Sequence, residues 1–172
     1  MNTDLYITEA TIDDVESLVA LVNSAYRGES SKQGWTSEAD LLGGQRTDIV
    51  SLKEIIQNNN NTILKCVDNK NIIGCVLLEH RMHYLYLGML TVSPTLQAKG
   101  IGKKLIIASE EFAKQNNIYK IIMTVISVRH ELIAWYKRNG FTTTGETKPF
   151  PTDAKFGIQK QPLEFIVMKK EL

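Results

Sequence analysis

The feature that most constrains the fold is a glycine-containing turn between an apolar strand and an apolar-periodic helix. Residues 84–92 form an apolar run typical of a buried strand, and the following turn carries Gly100 and Gly102. A helix that begins after such a turn points free backbone N–H groups outward, and its dipole adds partial positive charge. Because glycine allows close approach of the backbone, the turn predicts an anion site suited to phosphate. The alternative is a turn that only reverses the chain.

Length, composition and charge favour one globular domain without a membrane segment. The chain has 172 residues, of which 43% are hydrophobic and 23% charged, so we expect a single domain over residues 1–172. The net charge of +1 offers no basic field for nucleic acid or an anionic membrane. No apolar run reaches the roughly 18 residues of a membrane helix, and residues 1–4 do not resemble a signal peptide. We therefore expect a cytoplasmic protein.

The two cysteines, Cys66 and Cys75, lie on either side of a predicted hairpin turn at residues 68–71. They could face each other across the turn and pair. The reduced state is favoured for two core-like thiols of a cytosolic protein. Neither has a His or Cys neighbour at the spacing of a metal site, so we expect no metal.

Hydrophobic periodicity predicts a mixed-sheet α/β domain. The expected strands cover residues 5–9, 62–67, 72–79, 84–92, 119–126, 141–146 and 163–169. The expected helices run from Thr11 as N-cap to residue 26, over residues 37–42, from a Ser51 cap to residue 57, from the glycine turn to Asn116, and over residues 131–138. Residues 28–35 and 45–48 are expected to be polar loops.

Two motifs and this order of elements resemble the GNAT superfamily of N-acetyltransferases. The motif Gln97-x-x-Gly100-x-Gly102 is similar to the family's acyl-CoA pyrophosphate loop, and Tyr136 four residues before Gly140-Phe141 is similar to its closing signature. The resemblance spans nearly the whole chain. It implies one GNAT-like α/β domain with a mixed central sheet of about six or seven strands, flanked by helices on both faces.

Two other phosphate-binding motifs fit the turn less well. A dinucleotide fingerprint needs Gly-x-Gly-x-x-Gly near the first strand, whereas the third glycine position is Leu105 here and several strands precede it. A P-loop needs Gly-Lys-Ser/Thr, which Gly102-Lys103-Lys104 does not supply.

The resemblance implies that acetyl-CoA is the acyl donor. The backbone of the strand before the turn would bind the pantetheine arm and the thioester carbonyl, and the turn would bind the pyrophosphate. The family often carries Asn at the position of Arg129, where Arg could instead meet a phosphate or the pantetheine arm. The implied cofactor-binding residues are Leu90, Thr91, Val92, Gln97, Ala98, Lys99, Gly100, Ile101, Gly102, Lys103 and Arg129.

The reaction implied is direct attack of a primary amine, of a small molecule or a peptide, on the thioester. Tyr136 is the candidate acid for the leaving thiolate, since a phenol with a pKa of about 10 is protonated at neutral pH. The alternative is an aromatic side chain packed beside Trp135. Glu79 is our candidate base. The alternatives left open are His80, His83, Glu38, Asp40 and a chain of water molecules.

By the same resemblance, residues 26–48 and 147–162 would form the acceptor site. Aromatic side chains and charges of both signs there suit a small amine that also carries an anionic group, such as an amino acid. The alternative is a loop packed by its own side chains. The candidate acceptor residues are Trp35, Glu38, Arg46, Asp48 and Phe150.

Two further expectations concern function and assembly. The partners implied are acetyl-CoA and an amine acceptor, and because relatives in the family are often dimers, a homodimer is considered as well. A non-catalytic acyl-CoA-binding sensor or interaction module remains the alternative function, since Arg129 departs from the family pattern and no base stands out.

Overall fold

The computed structural model describes residues 5–153 and 157–172. Its strands and helices in chain order are β1 (Tyr6–Glu9), α1 (Val15–Tyr26), α2 (Gly28–Ser31), β2 (Leu42–Gly43), α3 (Ile49–Gln57), β3 (Asn61–Asp68), β4 (Asn71–His80), β5 (Leu85–Val92), α4 (Ile101–Gln115), β6 (Lys120–Ile126), α5 (His130–Arg138), β7 (Thr142–Pro149), β8 (Ile158–Gln159) and β9 (Glu164–Glu171). Short 3₁₀ turns precede α1 and α4, at Ile12–Asp14 and Pro94–Leu96.

Seven strands form one mixed sheet in the order β1-β3-β4-β5-β6-β9-β7. Strands β5 and β6 are parallel, and the other neighbours are antiparallel. Parallel neighbours need a long crossover connection, which α4 provides between β5 and β6. The mixed sheet of about six or seven strands is thereby confirmed.

Helices cover both faces of the sheet, as the sequence predicts. On one face α1 and α3 bury Leu18 and Leu52, and on the other α4 buries Leu105. Truncating such a fully buried leucine to alanine typically costs about 2–5 kcal/mol of stability. In the described part of the chain, no helix is both long enough and apolar enough to cross a membrane.

The two cysteines do not face each other across the hairpin. Cys66 lies opposite Gly74 in the ladder between β3 and β4, and Cys75 lies opposite Lys65. Neighbouring register positions point to opposite faces of a sheet, so the two thiols are buried in different core clusters. Both are free cysteines.

Polar side chains fix the starts of α1 and α3. The backbone N–H of Thr11 donates to Asp14 Oδ2 at 2.8 Å in the expected capping box, and Lys65 Nζ lies 2.7 Å from the same oxygen. The predicted Ser51 cap of α3 is wrong. The N-cap is Asp48, whose Oδ1 accepts a hydrogen bond from the backbone N–H of Ser51 at 2.8 Å.

The helix predicted at residues 37–42 is also wrong. A single turn forms there, in which the N–H groups of Leu41 and Leu42 donate to the carbonyl of Glu38. The glycines at 43 and 44 follow before a second turn can form, and an isolated helical turn is unfavourable. Leu42 is instead buried and pairs with Gln159. Residues 28–31, expected as loop, form α2.

The central strands β5 and β6 separate after a short ladder. Within the described strands they pair at Leu85–Ile121 and Tyr86–Ile122. On its other side β5 carries a bulge, where Met89 has a φ of 52°. Beyond Tyr86, the backbone of β5 is therefore not paired with β6. A cleft opens between the two strands beside the second half of β5.

Candidate active site

Two cavities meet at the place where β5 and β6 separate. The first has a volume of about 520 Å³ and lies between the glycine turn, α5 and residues 35–36. The second has a volume of about 400 Å³ and lies between the end of α1, the sheet and residues 150–151. Both fall within the size range of small-molecule sites. The residues that line both cavities are Tyr26, Leu90, Leu132 and Tyr136.

The glycine turn shapes the first cavity as an anion cradle. Gly100 is the N-cap of α4 in the left-handed conformation, with a φ of 81°. The N–H of Lys104 donates to the carbonyl of Gly100 at 3.1 Å, so the N–H groups of residues 101–103 precede the first helical hydrogen bond. A Cβ atom on Gly102 would lie only 3.2 Å from a ring carbon of Trp135. Glycine at position 102 therefore lets the Trp135 ring pack closely against the start of α4, beside the free N–H groups.

The side chain of Gln97 joins the turn to the segment that follows α2. Its Oε1 accepts a hydrogen bond from the N–H of Trp35 at 2.8 Å. Its Nε2 donates to Thr36 Oγ1 at 2.7 Å and to the carbonyl of Val92 at 3.1 Å. Trp35 in turn packs near Trp135, with ring centroids 6.1 Å apart. One wall of the first cavity is therefore held by Gln97.

The structure brings together most of the predicted cofactor residues. The side chain of Thr91 is turned back on its own strand, where the hydroxyl donates to the carbonyl of Met89 at 3.0 Å. Lys99 is exposed, and Arg129 lines the second cavity. The predicted residues that line the first cavity are Leu90, Val92, Gln97, Ala98, Gly100, Ile101, Gly102 and Lys103.

Tyr136 projects from α5 into the junction of the two cavities. Its ring packs edge-on against Trp135 and Phe141, with centroid distances of 5.0 and 5.6 Å. Only 4% of the residue is exposed. Burial, together with the neighbouring Tyr26, raises the pKa of the Tyr136 hydroxyl well above its ordinary value. The hydroxyl therefore keeps its proton at neutral pH and can act as a donor.

Tyr26, at the end of α1, holds the backbone at the same junction. Its hydroxyl donates a hydrogen bond to the carbonyl of Leu90. Burial and the negative charge of Glu38 raise the pKa of Tyr26 to about 12. A neutral, buried phenol thus fixes the strand next to the cleft. The sequence analysis did not identify this role. The feature that could have indicated it is a tyrosine, an aromatic residue with a hydroxyl group, on the buried face of α1.

Charged side chains from several parts of the chain line the second cavity. Glu38 Oε2 lies 3.1 Å from Arg27 Nη2, and Glu38 Oε1 lies 3.6 Å from Arg129 Nη1. The guanidinium of Arg46 lies 5.9 Å from the ring centre of Tyr26. Phe150 packs on Phe165, with centroids 5.0 Å apart, and closes the cavity on the β9 side. Arg27 is a further residue that the sequence analysis did not identify.

The remaining predicted residues fall at different places. Glu79 lines the second cavity and forms an ion pair with Arg81. Trp35 lines the first cavity, whereas Asp48 is exposed and caps α3. Residues 154–156 of the expected acceptor loop lie outside the described residues.

Three alternative base candidates lie away from the second cavity, whose lining includes none of them. His80 packs on Phe112, with ring centroids 5.5 Å apart, and His83 and Asp40 are exposed. Within residues 5–153 and 157–172, no three His, Cys, Asp or Glu side chains gather as metal ligands.

Comparisons with known proteins agree with this geometry. The sequence profile described as the acetyltransferase (GNAT) family matches residues 18–141. An N-acetyltransferase from Staphylococcus aureus Mu50 has a similar structure, with a TM-score of 0.75, 18% identity and 97% of each chain covered. A ribosomal-protein-alanine N-acetyltransferase from Brucella melitensis gives a TM-score of 0.74 at 20% identity, over 97% of this chain and 99% of that one.

A third similar structure was solved with its cofactor. The PaiA N-acetyltransferase from Thermoplasma acidophilum, in complex with coenzyme A, gives a TM-score of 0.70 at 20% identity, covering 98% of this chain and 99% of that one. Among curated proteins, no sequence matches significantly. The structural likenesses establish the fold, and the profile match establishes the family. The chain therefore belongs to the acetyltransferase (GNAT) family and is an acyltransferase that uses acetyl-CoA.

Proposed function

We propose that the protein transfers the acetyl group of acetyl-CoA to a primary amine, of a small molecule or a peptide, by direct attack. The observation that carries this proposal is the junction of the two cavities at Tyr26, Leu90, Leu132 and Tyr136. One cavity offers a cradle for a diphosphate, and the other offers a charged site of small-molecule size. Two substrates bound there would meet at one point.

In this proposal the first cavity holds the donor. Acetyl-CoA supplies an acetyl group activated as a thioester. The N–H groups at the start of α4 bind its diphosphate, and Lys103 adds positive charge. The β5 backbone at residues 90–92 binds the pantetheine arm and the thioester oxygen. Preorganised donors at such an oxygen typically contribute roughly 3–4 kcal/mol to catalysis.

Tyr136 is the proposed acid. As the new C–N bond forms, the C–S bond breaks, and the sulfur takes the proton of the Tyr136 hydroxyl. The raised pKa of this group keeps it protonated until that moment. The proton that the amine nitrogen loses goes to the base and from there to water, and Tyr136 regains a proton from water before the next turnover. The hydrogen bond from Tyr26 to the Leu90 carbonyl holds the adjacent backbone still, so Tyr26 is a positioning residue.

Glu79 is the proposed base, acting directly or through water. It lines the acceptor cavity, and a quarter of its side chain, 24%, is exposed. Glu79 pairs through one oxygen with the exposed Arg81. Glu38 also lines the cavity, but the buried side chains of Arg27 and Arg129 engage both of its oxygens. We therefore propose Glu38, Arg46 and Phe150 as acceptor-binding residues.

We further propose that residues 1–172 act as one acetyltransferase domain, a cytoplasmic homodimer. The first and last strands, β1 and β9, belong to the same sheet, which supports a single domain. The two free thiols, Cys66 and Cys75, suit a reducing compartment. Light scattering of the purified protein measures the assembly directly, and a monomer at micromolar concentration would contradict the dimer.

The competing function is a non-catalytic acyl-CoA sensor. Such a module needs the first cavity alone, whereas this chain also has a charged second cavity that meets it at Tyr136. The B. melitensis structure is named for an enzyme that acts on a protein's alanine, so a peptide amine must be tested beside small amines.

The test is a screen for release of CoA thiol with a panel of amino acids, simple amines, polyamines and short peptides. Acetyl-transfer activity predicts thiol release that depends on both the amine and acetyl-CoA. Calorimetry with CoA gives the control. Tight CoA binding without turnover of any amine would favour the sensor, and absence of CoA binding would contradict both functions.

A further inference from the structure

Arg129 carries a buried charged group that the described residues satisfy only in part. Its side chain is 9% exposed, and its Nη1 lies 3.6 Å from Glu38 Oε1, a distance longer than a hydrogen bond. Its Nη2 is buried, and among the described residues it has no hydrogen-bond partner. Arg129 also lines the second cavity, at the N-terminus of α5.

An unpaired donor of this kind is costly. Leaving a buried hydrogen-bonding group unsatisfied costs about 1–3 kcal/mol, and more when the group is charged. Such a cost is relieved when a bound ligand supplies the missing acceptor. A guanidinium group is planar and offers parallel N–H donors that match a carboxylate. The position of Arg129 therefore favours a carboxylate-bearing ligand in the second cavity.

The charge balance of this cavity favours the same ligand. Its charged lining residues are Arg27, Glu38, Arg46, Glu79 and Arg129. Glu79 is paired with Arg81, which lies outside the lining, and Glu38 is shared by Arg27 and Arg129. Among these described residues positive charge is in excess, so an amine without an anionic group would enter an unfavourable field.

We infer that the acceptor is an amine that also carries a carboxylate, as an amino acid does, and that Arg129 binds this carboxylate. This inference rests on the proposed acetyl transfer. Arg129, the N-cap residue of α5, lies seven residues before Tyr136, and both residues line the second cavity. A carboxylate held by Arg129 would direct the rest of the acceptor toward the junction where Tyr136 lies.

The test compares matched acceptors in wild type and in variants. The probes are free amino acids, the corresponding C-terminal amides and the decarboxylated amines. In wild type we expect kcat/KM for the free amino acid to exceed that for its amide by about 10- to 100-fold. Arg129→Gln should remove this preference by lowering only the free-acid value, and it should leave the Kd for CoA within about threefold.

Two further variants separate this role from a general structural effect. Arg129→Lys keeps the charge but not the planar fork, so it should retain part of the preference. Lys120→Gln removes one exposed positive charge from β6, outside the second cavity, and should leave the preference unchanged. Because the preference is a ratio within one variant, a partly unfolded preparation does not alter it.

Three results would overturn the inference. These are equal use of acids and amides by wild type, an equal loss for both in Arg129→Gln, and weakening of CoA binding by more than about tenfold in that variant. Failure of the proposed function is distinct, because wild type would then acetylate no amine in the panel.

Discussion

The Tyr26 hydroxyl, at the end of α1, donates its hydrogen bond to the carbonyl of Leu90, a residue 64 positions further along the chain. Leu90 lies in the part of β5 that has separated from β6. In this part of β5, β6 offers no hydrogen-bond partner to the backbone. A buried carbonyl without a hydrogen-bond partner lowers the stability of the fold. The hydrogen bond from α1 therefore stabilises the open cleft.

Replacing Tyr26 with Phe tests this contact. The variant leaves the Leu90 carbonyl without its donor, so we expect the free energy of unfolding at pH 7 to fall by about 1–3 kcal/mol. The pKa of Tyr26 is raised to about 12. The advantage of wild type should therefore be full below pH 10, where the unfolded phenol is still neutral, and should decline as pH rises toward 12. Urea unfolding at several pH values measures both effects, and Tyr119→Phe, at an exposed residue, is the control.

Tyr136→Phe should lower kcat while leaving the Kd for acetyl-CoA within about twofold. Loss of a general acid typically costs about 100-fold or more, and the ring itself is retained. Since the pKa of Tyr136 is raised well above 10, wild type should show no loss of kcat below pH 10 from ionisation of this group. Steady-state thiol release across pH gives the answer. Unchanged kcat with every accepted amine would exclude Tyr136 as the acid.

Gln97→Leu should weaken acetyl-CoA binding by about tenfold. Leucine keeps the approximate size but loses the hydrogen bonds to Trp35, Thr36 and Val92, so one wall of the first cavity is released. Calorimetry measures the Kd. Gln115→Leu, at the exposed end of α4, is the matched control. Equal affinity in the Gln97 variant would show that these hydrogen bonds do not support the cofactor site.

Asp48→Ala should lower the Tm by a few degrees, because α3 loses its N-cap. Asp48→Asn, which keeps an oxygen acceptor, should retain most of the Tm. Hydrogen bonds from the N–H and side chain of Ser51 hold the pKa of Asp48 below its usual value. Neither variant should change KM for the acceptor. A KM that rises in Asp48→Asn would instead support the acceptor role expected from the sequence.

Asp14→Asn should lower the free energy of unfolding by about 1 kcal/mol at pH 7, through the capping box and the contact with Lys65. Burial acts to raise the pKa of Asp14, but the hydrogen bonds from Lys65 and Thr11 outweigh it, and the pKa is lowered. The stabilisation is therefore present above about pH 3.8 and should disappear as pH falls through the lower folded value. Asp13→Asn, one residue earlier and exposed, is the control. A constant difference down to pH 2 would contradict this account.

Sequence periodicity predicted the long elements well and the short ones poorly. The runs that became β3 to β6 and α4 carry enough apolar residues to fix their type without knowledge of neighbours. Residues 38–42 are too few to fix their own structure, which depends on the pairing of Leu42 with Gln159 far along the chain. The α3 cap shows the same limit, since Asp48 and Ser51 are both good capping residues and only the geometry distinguishes them.

The part of the candidate site that is formed by backbone groups was predicted from the sequence. Glycine spacing located the turn, since few other residues permit its conformation at Gly100. Side-chain roles depended on tertiary contacts that no local pattern encodes. Arg129 was expected near the cofactor but lies at the second cavity, because its partner Glu38 comes from a distant loop. Gln97 was expected to face the pyrophosphate, yet its side-chain amide forms hydrogen bonds with Trp35 and Thr36 and so joins the glycine turn to that segment.

The short ladder between β5 and β6 divides the sheet into two blocks. Strands β1, β3, β4 and β5 form one block, on which α4 packs. Strands β6, β9 and β7 form the other, which brings Phe165 to the second cavity. In the proposed function, donor recognition would depend mainly on the first block, and part of the acceptor wall would come from the second. If that function holds, substitutions around Phe150 and Phe165 would change which amine is accepted without altering the glycine turn proposed to bind the diphosphate.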